Sequence, residues 1–553
     1  MNEAWNEKSE SFGWFQASLD GKCPDWHANP FTGVRSSHAN QPWWFLPDFD
    51  PRLGDIKTVW EASRWDWVVI FALRAQSGDE KATARLNFWL ANWTEQNQPY
   101  LGVNWKCGQE ASIRVIHLAM SAVILNQVNN PDSPLLDLIR IHLQRIAPTI
   151  QYAIAQNNNH GTSEAAALFI GGSWLKSVLD EPQGENWAAL GRKWIENRVA
   201  GLIEIDGSFS QYSVNYHRML LDTLSITEFW RRYLELPKFS EKFVTRAVAA
   251  TDWLMAFVDS ESGDVPNIGA NDGARLFPIT QTDYRDYRPS VQLASVLFSG
   301  RQKYPPGPWD NLILTQHFAV ESFVGEKSKS RLFDNGGYAV LCWENTKAYL
   351  RYPRFRFRPS HADALHVDLW VGSRNVLRDG GSFSYADPKG ISYFCGTESH
   401  NTIQFGDRDQ MPRIGRFLFG EWLKTKQRKC LKIEANQVSF TASYKDWKGA
   451  KHRRKLNLSS RRLRVIDQIE GMNDSAVIRW RLEPDEWELE GDILFSPTIK
   501  IQVEADIDLS RIELMQGQES RYYMRVDEIP VLEVEVSGPG TVTTNIEWAK
   551  NLV

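Results

Sequence analysis

Cysteine is scarce in this sequence, and its placement excludes more than its number does. The five residues, Cys23, Cys107, Cys342, Cys395 and Cys430, are scattered, odd in number and nowhere spaced as CxxC. That pattern argues against both a disulfide framework and a thiolate zinc cluster. An excess of positive charge is also lacking. The 63 Lys and Arg against 68 Asp and Glu leave a net charge of −5, so no basic surface for nucleic acid is expected. No apolar run reaches the ~18 residues that a membrane-spanning helix needs. The opening residues, Met1-Asn-Glu-Ala-Trp-Asn-Glu-Lys, have neither a basic start nor an apolar stretch, so no export signal is read. The chain as given is therefore expected in the cytoplasm, whereas a start further upstream would allow the periplasm. No regular internal repeat is found, which weakens a solenoid reading.

What is present points to a multidomain globular protein. A chain of 553 residues exceeds one ordinary core, and 42% hydrophobic with 24% charged residues is a soluble composition. The 24 Trp lean mildly towards carbohydrate, because sugar-binding clefts use flat apolar rings. From about 55 to 300 the sequence reads as helices: Trp60–Ala75, Ser112–Gln127, Leu135–Gln156, Ser163–Leu179, Trp187–Val199, Met219–Leu234 and Lys242–Val258. Long loops between them hold most of the conspicuous polar residues. A Pro- and Gly-rich stretch, Ser299–Trp309, reads as a linker. Short strands follow at Tyr338–Trp343, Lys347–Tyr352, Ala364–Val371, Val438–Tyr444, Leu463–Glu470 and Val531–Val536. The expected fold is multidomain α+β, with a helical (α/α) toroid over 1–310 and an antiparallel β-sandwich over 311–553.

Several polar constellations carry possible chemistry. Asn157-Asn158-Asn159-His160 and Asn215-Tyr216-His217 each sit beside an apolar helical run. An amide that quenches carboxylate charge, with an imidazole and a phenol that move protons, suits removal of a proton next to a carboxylate. Thr162 or Ser163 would serve as ordinary helix caps, which leaves the Asn run and His160 unassigned. In the strand half, His361, Asp379 and His400 offer two imidazoles and a carboxylate, a known zinc set with one position left to water. Ordinary hydrogen-bonded strand histidines remain the plainer alternative. Arg354-Phe-Arg356-Phe-Arg358 alternates as a strand would, and Arg356 and Arg358 are candidates for an anion-binding wall. Glu61 and Arg64 fall at helical pairing distance, as do Glu110 and Arg114. Arg64, Asn104, Trp105 and Glu110 are thus support residues with possible substrate contact. His217 and Asn271, the latter in the turn-like Gly269–Gly273, join that set.

Together these blocks resemble the heparinase II/III-like polysaccharide lyases, including relatives that act on alginate. The resemblance rests on Trp-Glu-x-x-Arg at Trp60–Arg64, Asn-His followed by Glu-Ala at Asn159–Ala165, Tyr216-His217, and Gly-x-x-Asp at Gly269–Asp272. His-x-Asp-x-Leu at His361–Leu365, Asp-Gly-Gly from Asp379 and His-Asn-Thr from His400 complete the series. It implies a toroid followed by a β-sandwich, and eliminative cleavage of a glycosidic bond 4-linked to a uronic acid in an acidic polysaccharide. By the same resemblance Asn159, with His160, neutralises the uronate carboxylate. Tyr216 protonates the leaving oxygen, and in some relatives also takes the C5 proton. His361, Asp379 and His400 match positions that bind zinc, an organising rather than water-activating ion. Many relatives carry a further His two residues before the metal His; here that place is Pro359.

Two other readings are carried forward. One is a toroid glycoside hydrolase working through Glu110 and Asp272. The other is a non-catalytic glycan-binding or assembly protein of an exopolysaccharide pathway. The oligomeric state is left open, with a homodimer among the options.

Overall fold

The computed structural model describes residues 5–550 apart from 20–21, 277, 312–317, 319, 326–327 and 473–474. Two compact units emerge. A helical unit comprises Met1–Ile203, Tyr216–Thr251 and Gly273–Val324, and a β unit comprises Glu204–Asn215, Asp252–Asp272 and Gly325–Val553.

The helices are α1 (Ile56–Ser63), α2 (Asp66–Gln76), α3 (Glu80–Gln96), α4 (Gly108–Ile124), α5 (Ser133–Ile146), α6 (Ile150–Ala155), α7 (Asn159–Leu179), α8 (Pro182–Leu202), α9 (Val214–Tyr233), α10 (Glu241–Phe257) and α11 (Arg288–Ser299). Three sequence expectations change here. The run Trp60–Ala75 is two helices, because Trp65 takes a left-handed conformation (φ 70°) with its indole fully buried. Leu135–Gln156 is likewise divided, at a 3₁₀ turn over Ala147–Thr149 that contains Pro148. A helix that was not anticipated, α3, buries Ala82, Leu86, Trp89 and Trp93 on one face.

Helix α7 is apolar on nearly every side between Ala165 and Leu175, and it is buried accordingly. Its close neighbour is α8. A Cβ on Gly191 would fall 2.3 Å from the Phe169 nitrogen, and one on Gly172 would fall 2.5 Å from the Ala188 nitrogen. These contacts pair late residues of one helix with early residues of the other, so α7 and α8 run antiparallel. Helix α9 then returns beside α7, where the Trp230 indole donates to Ser173 Oγ (3.0 Å) and stacks edge-on against Trp174. The stretch expected as a linker is instead packed. Gln292 of α11 accepts from Lys303 and Tyr304 N–H and donates to the Tyr304 carbonyl, and Tyr304 is buried.

The β unit is antiparallel throughout its named sheets. One sheet runs in simple meander order: Arg331–Phe333, Tyr338–Trp343, Thr346–Arg351, Val367–Val371, Arg374–Leu377. A larger sheet is built around Gln437–Lys445, Lys451–Ser459, Arg462–Glu470, Gly540–Trp548 and Ile499–Ala505, and a third joins Leu509–Glu519, Asp527–Val536, Ala476–Arg481 and Ile403–Phe405. Lys451–Ser459 and Arg462–Glu470 alternate between buried and more exposed residues, as strands with one covered face should. Leu350, Phe440, Leu456, Val465, Ile478 and Val534, drawn from all three sheets, share one core. The period-two Arg run does not form a strand. Arg354 makes a single bridge with Lys424, and the chain bends at Arg356 and Phe357.

Candidate active site and metal centre

In the helical unit, Asn159 and His160 lie in the first turn of α7 rather than in a loop before it. The cap is Asn158, whose side chain accepts the His160 N–H at 3.0 Å. The expected caps do something else: Thr162 and Ser163 turn their hydroxyls back onto the Asn159 carbonyl (2.8 and 2.9 Å). Asn159 is 4% exposed, so its amide is held rather than free to sweep through solvent. Tyr216 is the third residue of α9, also in the first turn, and 8% exposed. Asn159 precedes Ser173 by 14 residues, and Tyr216 precedes Trp230 by 14. Each first turn thus lies roughly 21 Å along its own helix from the Ser173–Trp230 contact, at ~1.5 Å per residue.

His160 has a buried companion that sequence reading passed over. Glu164, one turn on, places Oε1 3.9 Å from His160 Nδ1, and Cys107 Sγ lies 4.0 Å from the same nitrogen. The Glu164 carboxyl lies against Gly108 at the start of α4, where a Cβ would come within 2.7 Å of it. Burial pushes that carboxyl up to about 8, with His160 opposing the shift. The available signal was the i, i+4 spacing from His160.

In the β unit, His361, Asp379 and His400 are all buried and offer ligand atoms within 4.8 Å of one another. His400 Nδ1 lies 3.0 Å from Asp379 Oδ2, which makes Nδ1 the N–H donor, so that in the neutral ring Nε2 offers a lone pair. Against the effect of burial, Asp379 raises the His400 pKa, and a metal on Nε2 would displace the second proton. That Nε2 is buried without a hydrogen-bond partner, and so is His361 Nδ1. Two orphaned imidazole nitrogens beside a carboxylate fit a divalent metal with N/O preference, zinc included. Burial, with His400 nearby, lowers His361 to about 3, so it is a neutral ligand at ordinary pH. Burial alone would raise Asp379, but His400 and His366 overcome it and hold the carboxylate well below its usual range. His366 is the residue missed here. Its Nδ1 accepts the Asn401 N–H, so its Nε2 carries the proton that faces Asp379 Oδ2 at 3.5 Å.

Residues 325–535 match the family model described as heparinase II/III-like, C-terminal. That match covers the strand-rich part of the chain, which is similar to the C-terminal domain of the heparinase II/III-like family. The fold agrees over nearly the whole chain, an (α/α) toroid followed by an antiparallel β-sandwich. A crystal structure of heparinase III is 15% identical, covering 96% of this chain and 83% of its own, with a TM-score of 0.67. The heparan sulfate lyase HepC from Pedobacter heparinus is 17% identical over 98% of this chain and 81% of its own, with a TM-score of 0.57. A chondroitinase AC lyase is 10% identical over 85% and 72%, with a TM-score of 0.50. No curated protein matches the sequence. Among the described residues no helix is long and apolar enough to cross a membrane.

Several residues expected to contact substrate are buried and engaged with other parts of the protein. Arg64 gives Nε and Nη2 to the two Glu110 oxygens (2.8 and 3.0 Å) and Nη1 to Glu61. Asn104 is wholly buried and donates to the Trp26 carbonyl and to Asn97 Oδ1. Trp105 lies under the Arg114 guanidinium, 5.2 Å from its ring centre. His217 is buried with its Nε2 2.8 Å from the Ala250 carbonyl, and burial lowers it to about 4. These residues hold helices together. Asn271 is buried within the β unit. Arg356 is exposed and pairs with Glu204 (2.9 Å), and Arg358 is exposed. A cavity of about 520 Å³ opens beside Glu61 and Arg64, lined also by Glu10, Asp66, Arg275, Asp283 and Tyr284.

Proposed function

We propose that this chain is a polysaccharide lyase that cleaves a uronic-acid-containing polysaccharide by β-elimination. The observation that carries the reading is the placement of Asn159 and Tyr216 in the first turns of α7 and α9, two helices that touch through Ser173 and Trp230. The Asn159 amide, with His160, neutralises the uronate carboxylate and so acidifies the neighbouring C5–H. That proton leaves to Tyr216 or His160, the C4–O bond breaks, and a C4–C5 double bond forms. The departing oxygen takes a proton from Tyr216, which balances the step. With Pro359 where many relatives carry His, both proton transfers fall to these two residues. His361, Asp379 and His400 would hold zinc, whose positive charge would keep this buried cluster in one arrangement.

The hydrolase alternative loses support because the Glu110 carboxylate is taken up by Arg64. Incubation with heparan sulfate, chondroitin sulfate, alginate and bacterial acidic exopolysaccharides tests the proposal. Rising ultraviolet absorbance from the unsaturated product is expected with at least one of them. New reducing ends without that absorbance would identify a hydrolase, and silence across the whole panel would remove the lyase reading.

A further inference from the structure

We propose that Trp44 and Phe45 form an aromatic platform that stacks against sugar rings of the polysaccharide strand beyond the bond being cleaved. This rests on the lyase reading for the identity of the strand. The large aromatic residues of the helical unit are mostly interior: Trp26, Trp65, Trp67, Trp93 and Trp105 are all fully buried. Trp44 and Phe45 are 59% and 72% exposed, beside Phe49 at 42%.

The segment that carries them is anchored on its inner side. Trp43 N–H donates to the Tyr100 carbonyl, Gly102 N–H donates to the Gln41 carbonyl, and Leu46 packs into a small core with Leu53, Val59 and Val103. The Arg145 guanidinium lies 3.6 Å from the Trp43 ring centre, and the same side chain donates to the Trp105 and Lys106 carbonyls. Lys106 Nζ in turn donates to the Leu46 carbonyl. The backbone under the two rings is therefore tied to Trp105-Lys106-Cys107, and Cys107 is the residue beside His160. That tie places the rings on the same stretch of scaffold as the His160 neighbour, and we take the occupant to be the strand that reaches His160.

A second copy of this chain fits less well. At 150–250 Å² per aromatic side chain, the three exposed rings offer about 400 Å² at most, short of the ~800 Å² per partner of a stable interface. Exposed flat apolar rings on an anchored backbone suit a ligand with an apolar face and a hydroxylated edge, which is the chemistry of a pyranose.

The test compares wild type with Trp44→Ala/Phe45→Ala on the panel polysaccharides. Affinity electrophoresis reads binding to long chains, and kinetics read the advantage in kcat/KM of long chains over tetrasaccharides. Loss of the stacking surface should weaken long-chain binding and reduce that advantage about tenfold each, with Trp44→Tyr/Phe45→Tyr restoring most of both. Equal retardation of wild type and variant overturns the proposal, as does a wild type that binds no long chain. Wild-type binding without turnover, lost in the variant, would end the lyase reading while leaving the platform standing. A wild-type dimer that the double variant dissociates in sedimentation would assign the rings to self-association instead, and would overturn the proposal.

Discussion

Arg64 separates a residue that holds helices together from one that meets substrate, and its removal has a calculable cost. The side chains of Arg64, Glu110 and Glu61 are 6%, 3% and 11% exposed, so water offers little replacement for their pairing, least of all to Glu110. Arg64→Ala strands two carboxyls in the interior. Breaking a buried pair in this way costs about 3–5 kcal/mol. Glu61 moderates the penalty, because burial already pushes its carboxyl up to about 7 against the opposing pull of Arg64, and it will protonate once Arg64 is gone. Glu110→Gln removes the charge but keeps an acceptor, for a smaller loss of about 1–3 kcal/mol. The joint replacement Arg64→Met/Glu110→Met should cost less than the two single truncations summed, since neither charge is then left alone. Urea unfolding followed by tryptophan fluorescence measures all of these, with Trp65 and Trp93 buried in the same helical unit. An Arg64→Ala protein whose unfolding midpoint equals wild type while KM rises would refute the reasoning and return Arg64 to the substrate.

Other outcomes are equally definite. Asn159→Ala should lower kcat by about 100- to 1,000-fold with little change in the unfolding midpoint, the usual cost of one charge-stabilising donor. Tyr216→Phe should abolish turnover yet keep polysaccharide binding, so retained turnover would assign both proton steps to His160. Metal analysis should find about one zinc per chain, falling with His361→Ala or His400→Ala along with the thermal midpoint; wild-type protein free of metal under zinc-replete expression would contradict the assignment. Glu164 makes a pH prediction. Its folded carboxyl is raised to about 8 from an ordinary 4.5, so its stabilising contribution is complete below pH 4.5 and is lost as pH rises towards 8. Glu164→Gln should therefore stabilise the protein at pH 8–9 relative to wild type, and an identical pH dependence of the urea midpoint would show that the carboxyl does not titrate there.

The candidate site residues stood out in the sequence because their types are poor packing material. An Asn run beside a helix, and histidines spaced 39 residues apart around Asp379, call for partners that sequence neighbours cannot supply. Burial decided what the same reasoning could not. Arg64, Asn104, Trp105 and His217 look identical in sequence whether they face a ligand or a neighbouring helix, and each is turned inward. The Arg354–Arg358 alternation has the period of a strand, yet it lacks a partner with which to form one. His366 and Glu164 gave little local signal, because each matters through residues that the fold brings beside it.

The order of helices and then antiparallel strands was set by periodicity and turn chemistry, which are local properties and so readable along the chain. The left-handed kink at Trp65, the contact of α9 with α7 through Trp230 and the meeting of His361, Asp379 and His400 were decided only in three dimensions. Each depends on contacts between residues distant in sequence, and a hydrogen bond or a buried lone pair has no one-dimensional signature.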